Sequence, residues 1–430
     1  MSPLDPPPLH RSRPTGFDIQ PATRQGAARE VADGIHLSEG LSNCYLIVTE
    51  AGRIVVNTGM GFEAPVHKQK FDAVDAGPVR YILLTQGHVD HVGGVDVRRD
   101  ATTRVVAQAG NAEHQAYDGR LPTFRASRSA FAFADAIGES IRYVAKHMGG
   151  KIPPQSVPVP DITFIDRHTL ELGGQRLELS ATPGGETTDS MVIHMPERGI
   201  CFTGNLFSAL FGHFPNLVTI RGDRYRDALR FVESLDRVLA LDAELLLVGH
   251  HEPVRGRDVI RRELERLRAA VLYVHDATVA GMNAGTDVHT LMREIVLPAE
   301  LEVGEGYGKV SWSVRAIWEH YAGWFHHGST TELYAVPARA VHPDLVELAG
   351  GPDALAARAA RKLEKGAPEE AIHLAEIALA ASPHHRGALE ASLAAHLRLE
   401  SESVNFWLTS WLRRQIASLR ARIEAGAERP

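Results

Sequence analysis

The residues of this chain best suited to chemistry are two histidines and an aspartate within four positions: His88, Asp90 and His91. Imidazole and carboxylate groups are the ligands that Zn²⁺ takes from proteins, and neighbouring glycines allow the tight turn that presents such groups. His250 follows a glycine later in the chain, and Glu186 lies in a Pro-Gly-Gly-Glu segment. A single histidine after a strand is usually a surface or core residue, but this combination predicts a metal site.

Short apolar runs precede these residues and predict the strands that position them. Residues 81–84 end directly before the first histidines, and residues 244–248 end at Gly249-His250. Loops at strand ends commonly carry binding and catalytic residues. The pattern is mostly β with interspersed helices up to about residue 255, which predicts layered sheets flanked by helices.

Beyond residue 255 the chain is almost entirely helical in pattern and rich in Ala, Leu, Arg and Glu. Residues 352–399 predict a helix pair with small residues on the facing sides, similar to one tetratricopeptide unit. Residues 401–425 predict a terminal helix whose aromatic side chains are too apolar to remain solvated. The aromatics from Trp312 to Phe325 fit a core or dimer contact, or alternatively the wall of a substrate pocket.

Composition restricts the function classes. The 430 residues carry a net charge of −7, which argues against a nucleic-acid-binding surface. No apolar run reaches about 18 residues, so no membrane span is expected. Five prolines in the first 14 residues predict a flexible arm without a secretory signal. Cys44 and Cys201 lie in apolar runs, which predicts buried reduced thiols and a cytoplasmic location.

The segment Leu84-Thr85-Gln86-Gly87-His88-Val89-Asp90-His91-Val92-Gly93-Gly94 resembles the THxHxDHxGG signature of the metallo-β-lactamase superfamily. Other segments resemble its alkylsulfatase branch: Gly40–Asn43, Gly185–Thr187, Gly249–Pro253, Gly306–Ser311, Tyr321–Phe325 and Val346–Gly351. The resemblance extends from about residue 35 to about residue 415.

The resemblance implies an α+β chain in which a metallo-β-lactamase αββα sandwich is followed by an all-α, TPR-like dimerisation domain. We expect a flexible arm over residues 1–30, a catalytic domain over 31–256 and the helical domain over 257–430. The sterol-carrier-like domain with which the branch ends is expected to be absent. A homodimer is implied as the partner state.

The resemblance also implies two metal sites, and this chain departs from both ligand sets. The second set is intact, as Asp90, His91 and His250. The first set retains His88 and Glu186, but Gln86 replaces a histidine and Asn205 replaces a bridging glutamate; Asn57 replaces an early aspartate. Amide groups are weak zinc ligands. We therefore expect the second site to be occupied and the first to be weak or empty.

One or two zinc ions are thus expected, with iron as an alternative because His, Asp and Glu also suit iron. A single Zn²⁺ can lower the pKa of its water to about 7. The general base is then either the metal-water group or Glu186, with Asp90 both ligand and part of the catalytic set.

An anion pocket is implied by two further residues, Asn216 and Arg221, which match the branch's sulfate-holding positions. An arginine fork suits a tetrahedral oxyanion or a carboxylate. The alternative is that Arg221 is a solvated residue at a helix start. Trp312 stands where the branch has a further histidine, which puts sulfate-ester specificity in doubt.

Three functions compete at this stage. The first is a metal-dependent hydrolase that attacks an alkyl sulfate or related ester with metal-activated water. Its substrate is a small anionic molecule with an apolar part. The second is an iron-dependent redox or lyase-type enzyme on the same scaffold. The third is a non-catalytic descendant that uses the fold for dimerisation or ligand binding.

Overall fold

A computed structural model describes residues 6–427, in which two β-sheets form the framework of the first compact unit. The first sheet runs in chain order: β1 (Arg29–Ala32), β2 (Ile35–Ser38), β3 (Cys44–Thr49), β4 (Gly52–Val56), β5 (Val79–Leu83), β6 (Arg104–Gln108) and β7 (Ile162–Phe164). The second has the order β13 (Val254–Arg255), β12 (Leu245–Val248), β11 (Ile200–Gly204), β10 (Met191–Met195), β9 (Gln175–Ala181) and β8 (Arg167–Leu172).

Parallel pairing places the carboxyl ends of neighbouring strands at the same edge of each sheet. Strands β4 to β7 are parallel neighbours in the first sheet, and β11 pairs in parallel with β12 in the second. The remaining pairs are antiparallel. The central strands read as nearly continuous apolar runs because both of their faces are covered.

Apolar side chains of both sheets form the middle of the unit. Ile47, Ile54 and Leu83 of the first sheet belong to one buried cluster with Leu179 and Phe202 of the second. This packing joins the two sheets face to face and leaves their outer faces for helices.

Helices cover those outer faces. They are α1 (Ala64–Asp72), α2 (Val89–Val92), α3 (Val95–Arg98), α4 (Asn111–Gly119), α5 (Pro122–His147), α6 (Ala228–Leu239), α7 (Arg257–Asn283), α8 (Val288–Glu294) and α9 (Val310–Ala322). Phe71 and Val95 pack on the first sheet, whereas Leu235 and Leu264 pack on the second. The predicted αββα sandwich is therefore confirmed.

One helix begins later than the sequence pattern predicts. The pattern indicated a helix from Asp223, but α6 starts at Ala228 because the Asp227 carboxylate accepts hydrogen bonds from the Leu229 and Arg230 amides. A side-chain oxygen at the residue before a helix satisfies amides that have no intrahelical partner. Residues 223–227 are consequently free to adopt a non-helical path.

The second compact unit begins at Ala322 and is helical. Its helices are α10 (His342–Leu348), α11 (Pro352–Glu364), α12 (Pro368–Ala381), α13 (Arg386–Glu402) and α14 (Phe406–Ala427). The prediction of two helices over 352–399 is wrong, because breaks at Pro368 and at the Ser382–His385 turn divide this range into three helices. Buried alanines pack these helices closely, among them Ala359, Ala375 and Ala391.

The compact units divide at a different place from the predicted domains. Helices α7, α8 and most of α9 belong to the first unit with the sheets, although the helical character starts at residue 257. Buried residues of α7 and α9 complete the core of the second sheet, which explains this grouping. The domain boundary at 256 itself stays a prediction.

The predicted flexible arm is packed over its described part, and residues 1–5 lie outside the described residues. Three 3-10 turns occur between Leu9 and Arg24. The Leu9 amide donates to Glu263, and the Ala22 amide donates to the buried Glu63 carboxylate at 2.7 Å. Within the residues described, no helix is both long and apolar enough to cross a membrane.

Candidate metal centre

The candidate site lies where several strands end. Gln86 and His88 follow β5, Asn205 follows β11 directly, and His250 is separated from β12 by one glycine. Glu186 lies in the loop between β9 and β10. The two sheets thus deliver all five side chains to one edge of the sandwich; Gln86, His88, Asn205 and His250 follow strands with parallel neighbours, as expected for such sites, whereas Glu186 lies in a loop between antiparallel strands.

Two asparagines fix the loops that carry these residues. Asn57, with φ at +60°, accepts from the Thr85 amide through Oδ1 at 3.0 Å. Asn43 donates through Nδ2 to the Val248 and His251 carbonyls at 3.0 and 2.7 Å. Asn57 therefore orders the loop before Gln86 instead of serving as a ligand, and Asn43 clamps the loop of His250.

Asp90, His91 and His250 form one cluster, which we call the metal triad. One ligand atom from each lies within 4.8 Å of the others. His91 Nε2 is 3.4 Å and His250 Nε2 is 3.7 Å from Asp90 Oδ2, and the two rings are nearly perpendicular. Two imidazoles and a carboxylate are a ligand set that suits a divalent metal, with a further position for water.

The state of His91 tests whether the triad fits a cation. Its ring is fully buried, and neither ring nitrogen has a hydrogen-bond partner within residues 6–427. Burial lowers the pKa of His91 to about 4, an effect that Asp90 only partly offsets, so the ring is neutral at pH 7. A buried polar group without a partner is costly, and the neutral ring is the form that binds metal. The triad therefore fits a metal ion.

Gln86, His88, Glu186 and Asn205 form a second group beside the triad, here called the amide cluster. The Asn205 backbone amide donates to Gln86 Oε1 at 3.0 Å, which turns Gln86 Nε2 toward His88 Nδ1 at 2.9 Å. The Asn205 side-chain amide donates to Glu186 Oε2 at 3.2 Å and approaches His250 Nε2 at the same distance. Gly249 is required here, because a Cβ would collide with Asn205 Oδ1.

Charged residues surround the amide cluster. Arg226 Nη1 lies 3.6 Å from Glu186 Oε1, and His88 Nε2 lies 3.7 Å from Asp223 Oδ2. Burial opposes ionisation of Glu186, but Arg226, His88 and Arg221 outweigh it and hold the pKa of Glu186 below its ordinary value. The pKa of Asp223 is lowered strongly, since His88 and Arg226 outweigh its burial. Both carboxylates are therefore ionised.

The predicted anion residues lie on the segment between β11 and α6. Asn216 is 2% exposed, and neither atom of its side-chain amide has a partner in the part of the chain that the structure describes. Arg221 is partly buried, and burial alone would lower the pKa of its guanidinium. Electrostatic attraction to Tyr307, Glu186, Asp223 and Asp90 is the larger effect and raises that pKa. Trp312 is partly buried on α9, and its relation to a bound anion stays a prediction.

Three site residues escaped the sequence analysis: Asp223, Arg226 and His114. His114 on α4 is buried, and its ring centroid is 5.6 Å from that of His88. Asp223 and Arg226 belong to the run Arg221-Gly222-Asp223-Arg224-Tyr225-Arg226, whose charge density was the available signal. The sequence pattern predicted a helix from Asp223, which obscured that signal.

Comparison with known proteins gives two family matches. Residues 37–250 match the metallo-beta-lactamase superfamily, and residues 288–421 match a family described as alkyl sulfatase dimerisation. A linear primary-alkylsulfatase of Pseudomonas sp. is 26% identical over 398 residues, covering 88% of this chain and 74% of that protein. An alkyl/aryl-sulfatase of Saccharomyces cerevisiae is 25% identical over 78% of this chain and 55% of its own length.

A solved structure shares the fold. It belongs to a stereoselective inverting sec-alkylsulfatase of Pseudomonas sp., at 22% identity and a TM-score of 0.80, covering 92% of this chain and 66% of that one. This chain therefore spans from about half to three quarters of the length of these relatives.

Proposed function

Because this chain belongs to the metallo-beta-lactamase superfamily and carries an alkyl sulfatase dimerisation domain, we propose that it is a metal-dependent hydrolase of alkyl sulfate esters. The observation that carries the proposal is the metal triad, in which a fully buried His91 keeps both ring nitrogens without a hydrogen-bond partner within residues 6–427. The named relatives, which are alkylsulfatases, favour this function over the iron-dependent redox or lyase alternative and over a non-catalytic role.

Asp90, His91 and His250 would hold the cation, and zinc is proposed from their donor types. When bound, such an ion supplies positive charge that lowers the pKa of water toward about 7. His250 Nε2 lies 3.7 Å from Asp90 Oδ2 and 3.2 Å from the Asn205 side-chain amide, so a cation at the triad would displace the contact with Asn205. The Asn205 amide can release His250 and keep its contact with Glu186.

The chain's own residues provide the rest of the reaction. Glu186 is buried and ionised, so its carboxylate can accept a proton from an attacking water. Arg221 and Asn216 would hold the sulfate group, because a guanidinium and an amide N–H donate to its oxygens. The Asn216 amide is already desolvated, which makes its pairing with an anion favourable.

The proposed substrate is a small anion with an apolar part, since the sulfate contacts explain only the charged end. A homodimer is proposed from the dimerisation-family match and from exposed aromatic residues of the helical unit, including Trp324 at 68% and Trp411 at 42% exposure. A cytoplasmic location is proposed from the two buried free thiols, Cys44 and Cys201.

Elemental analysis together with a substrate screen tests this function. The purified chain should contain zinc and hydrolyse dodecyl sulfate to dodecanol and sulfate in preference to lactones and phosphodiesters. Iron as the retained metal would support the redox or lyase alternative. A chain that retains no metal after zinc reconstitution and hydrolyses none of the substrates would refute the proposal.

A further inference from the structure

We propose that Gln86, Asn205 and Arg226 together take the place of a second metal ion, so that the amide cluster is a permanently metal-free half of a two-part centre. The inference rests on the proposed function, because it assumes that the neighbouring triad binds the cation. It concerns what the amide cluster does, which the comparisons leave open.

Two potential ligand atoms of the amide cluster lie as far apart as two ligands of one metal ion. His88 Nδ1 and Glu186 Oε2 are 3.6 Å apart, and both residues are buried. Two ligands of one tetrahedral zinc ion, each about 2.1 Å from it, lie roughly 3.4 Å from one another. The two atoms therefore have the separation of groups that share a cation.

An amide N–H donates a hydrogen bond to each of these atoms. Gln86 Nε2 points at the His88 Nδ1 lone pair, because the Asn205 backbone amide fixes Gln86 Oε1 on the other side. Asn205 Nδ2 points at Glu186 Oε2, since a carboxylate only accepts hydrogen bonds. Each N–H satisfies a lone pair that a metal would otherwise take, and neither amide nitrogen is itself a ligand.

The negative charge of Glu186 is balanced by a different residue. A hydrogen bond from a neutral amide occupies a lone pair of the Glu186 carboxylate but does not neutralise its negative charge. Arg226 supplies the compensating positive charge: its Nη1 is 3.6 Å from Glu186 Oε1, and its guanidinium also lies 3.7 Å from Asp223 and donates to the Asn216 carbonyl. A guanidinium stays protonated and cannot be removed by a chelator. It would also repel a cation placed between His88 and Glu186.

The pair of substitutions Gln86→Glu and Asn205→Asp tests the proposal, because each replaces an amide nitrogen with a carboxylate oxygen of the same shape. After dialysis against excess Zn²⁺ and removal of free metal, wild type should retain one zinc per chain and the double variant two. Gln86→Leu with Asn205→Leu is the matched control, which removes the amides without offering ligands. It should remain at one.

Adding Arg226→Met to the double variant tests the charge step. The second zinc should bind at least tenfold more tightly in the triple variant, measured by competition with a chromogenic chelator. Equal affinities in the double and triple variants would overturn the role of Arg226. If the double variant fails to fold, Asn205→Asp alone should still gain a weaker second site, with folding checked by circular dichroism.

The outcomes separate this inference from the proposed function. Two zinc ions in wild type would overturn the inference and leave the hydrolase proposal standing. No zinc in wild type but one in the double variant would overturn the cation at the triad and support the role of the amide cluster. A double variant that folds and stays at the wild-type stoichiometry would also overturn the inference.

Discussion

The metal triad and the amide cluster lie side by side at one edge of the sandwich, yet His91 of the triad and the His88–Glu186 pair of the cluster differ in their hydrogen bonding. In the triad, a fully buried His91 has no hydrogen-bond partner among the described residues. In the amide cluster, both candidate ligand atoms receive an amide N–H. The difference lies in Gln86 and Asn205, whose side-chain amides donate to His88 and Glu186.

Removing His91 is the largest expected effect, because the triad would lose its most enclosed ligand. His91→Ala should abolish zinc retention and lower kcat/KM for dodecyl sulfate by more than about 100-fold, beyond the loss typical of an outer-shell partner. His88→Ala is the comparison variant and should leave zinc stoichiometry unchanged. Loss of zinc in His88→Ala but not in His91→Ala would reverse the assignment of the two halves.

Arg221→Ala is expected to have the next largest effect. Loss of a charged hydrogen bond to the sulfate group corresponds to about 1.5–3 kcal/mol, or roughly 10- to 150-fold in kcat/KM. The loss should appear mainly in KM, with zinc content unchanged, in steady-state assays. Arg224→Ala is the matched control, since Arg224 is exposed and pairs with Glu113. Equal effects of both variants would argue against an anion role for Arg221.

Asn43→Ala tests whether the triad depends on its clamp. The substitution leaves the Val248 and His251 carbonyls without their Asn43 donor, which should lower the free energy of unfolding by about 2 kcal/mol. Chemical denaturation of wild type and variant would measure this. Zinc affinity should also fall, because His250 lies between these two carbonyls in the sequence. An unchanged zinc affinity would show that the position of His250 does not depend on Asn43.

The stability of the metal-free protein should also depend on pH. The pKa of His91 is about 4 in the folded chain because of burial, against 6.5 for an unperturbed histidine. As the pH falls from 6.5 toward 4, the unfolded chain binds a proton at this residue and the folded chain does not. Stability should therefore decrease on acidification, by at most about 1.4 kcal/mol per pH unit.

Thermal unfolding of chelator-treated protein at about pH 7, 6 and 5 measures this dependence. His91→Gln should show a shallower slope than wild type. The same slope in both proteins would mean that other groups, such as His213 with its pKa lowered by burial to about 4, dominate the acid response.

The fold and half of the site could be predicted from the sequence. Glycines around His88–His91 and the Gly249-His250 pair mark strand ends, so local pattern was enough to bring these residues together. The roles of Asp223 and Arg226 could not be predicted, because they depend on the Asp227 cap that delays α6 and on the irregular path that follows from it. Asn57 was likewise recognised only as a substituted position, since its loop-ordering role depends on a contact with Thr85 across two strands.

The docked N-terminal segment has a consequence for synthesis of the chain on the ribosome. Leu9, Arg11 and Arg13 pair with groups 254, 291 and 239 residues further along the sequence. At about 5–20 residues per second, the segment waits roughly 12–60 s before its acceptors at Glu252, Glu263 and Glu302 are made. Residues 9–13 are therefore made well before the groups that bind them, and they can reach their final contacts only after α7 has been synthesised.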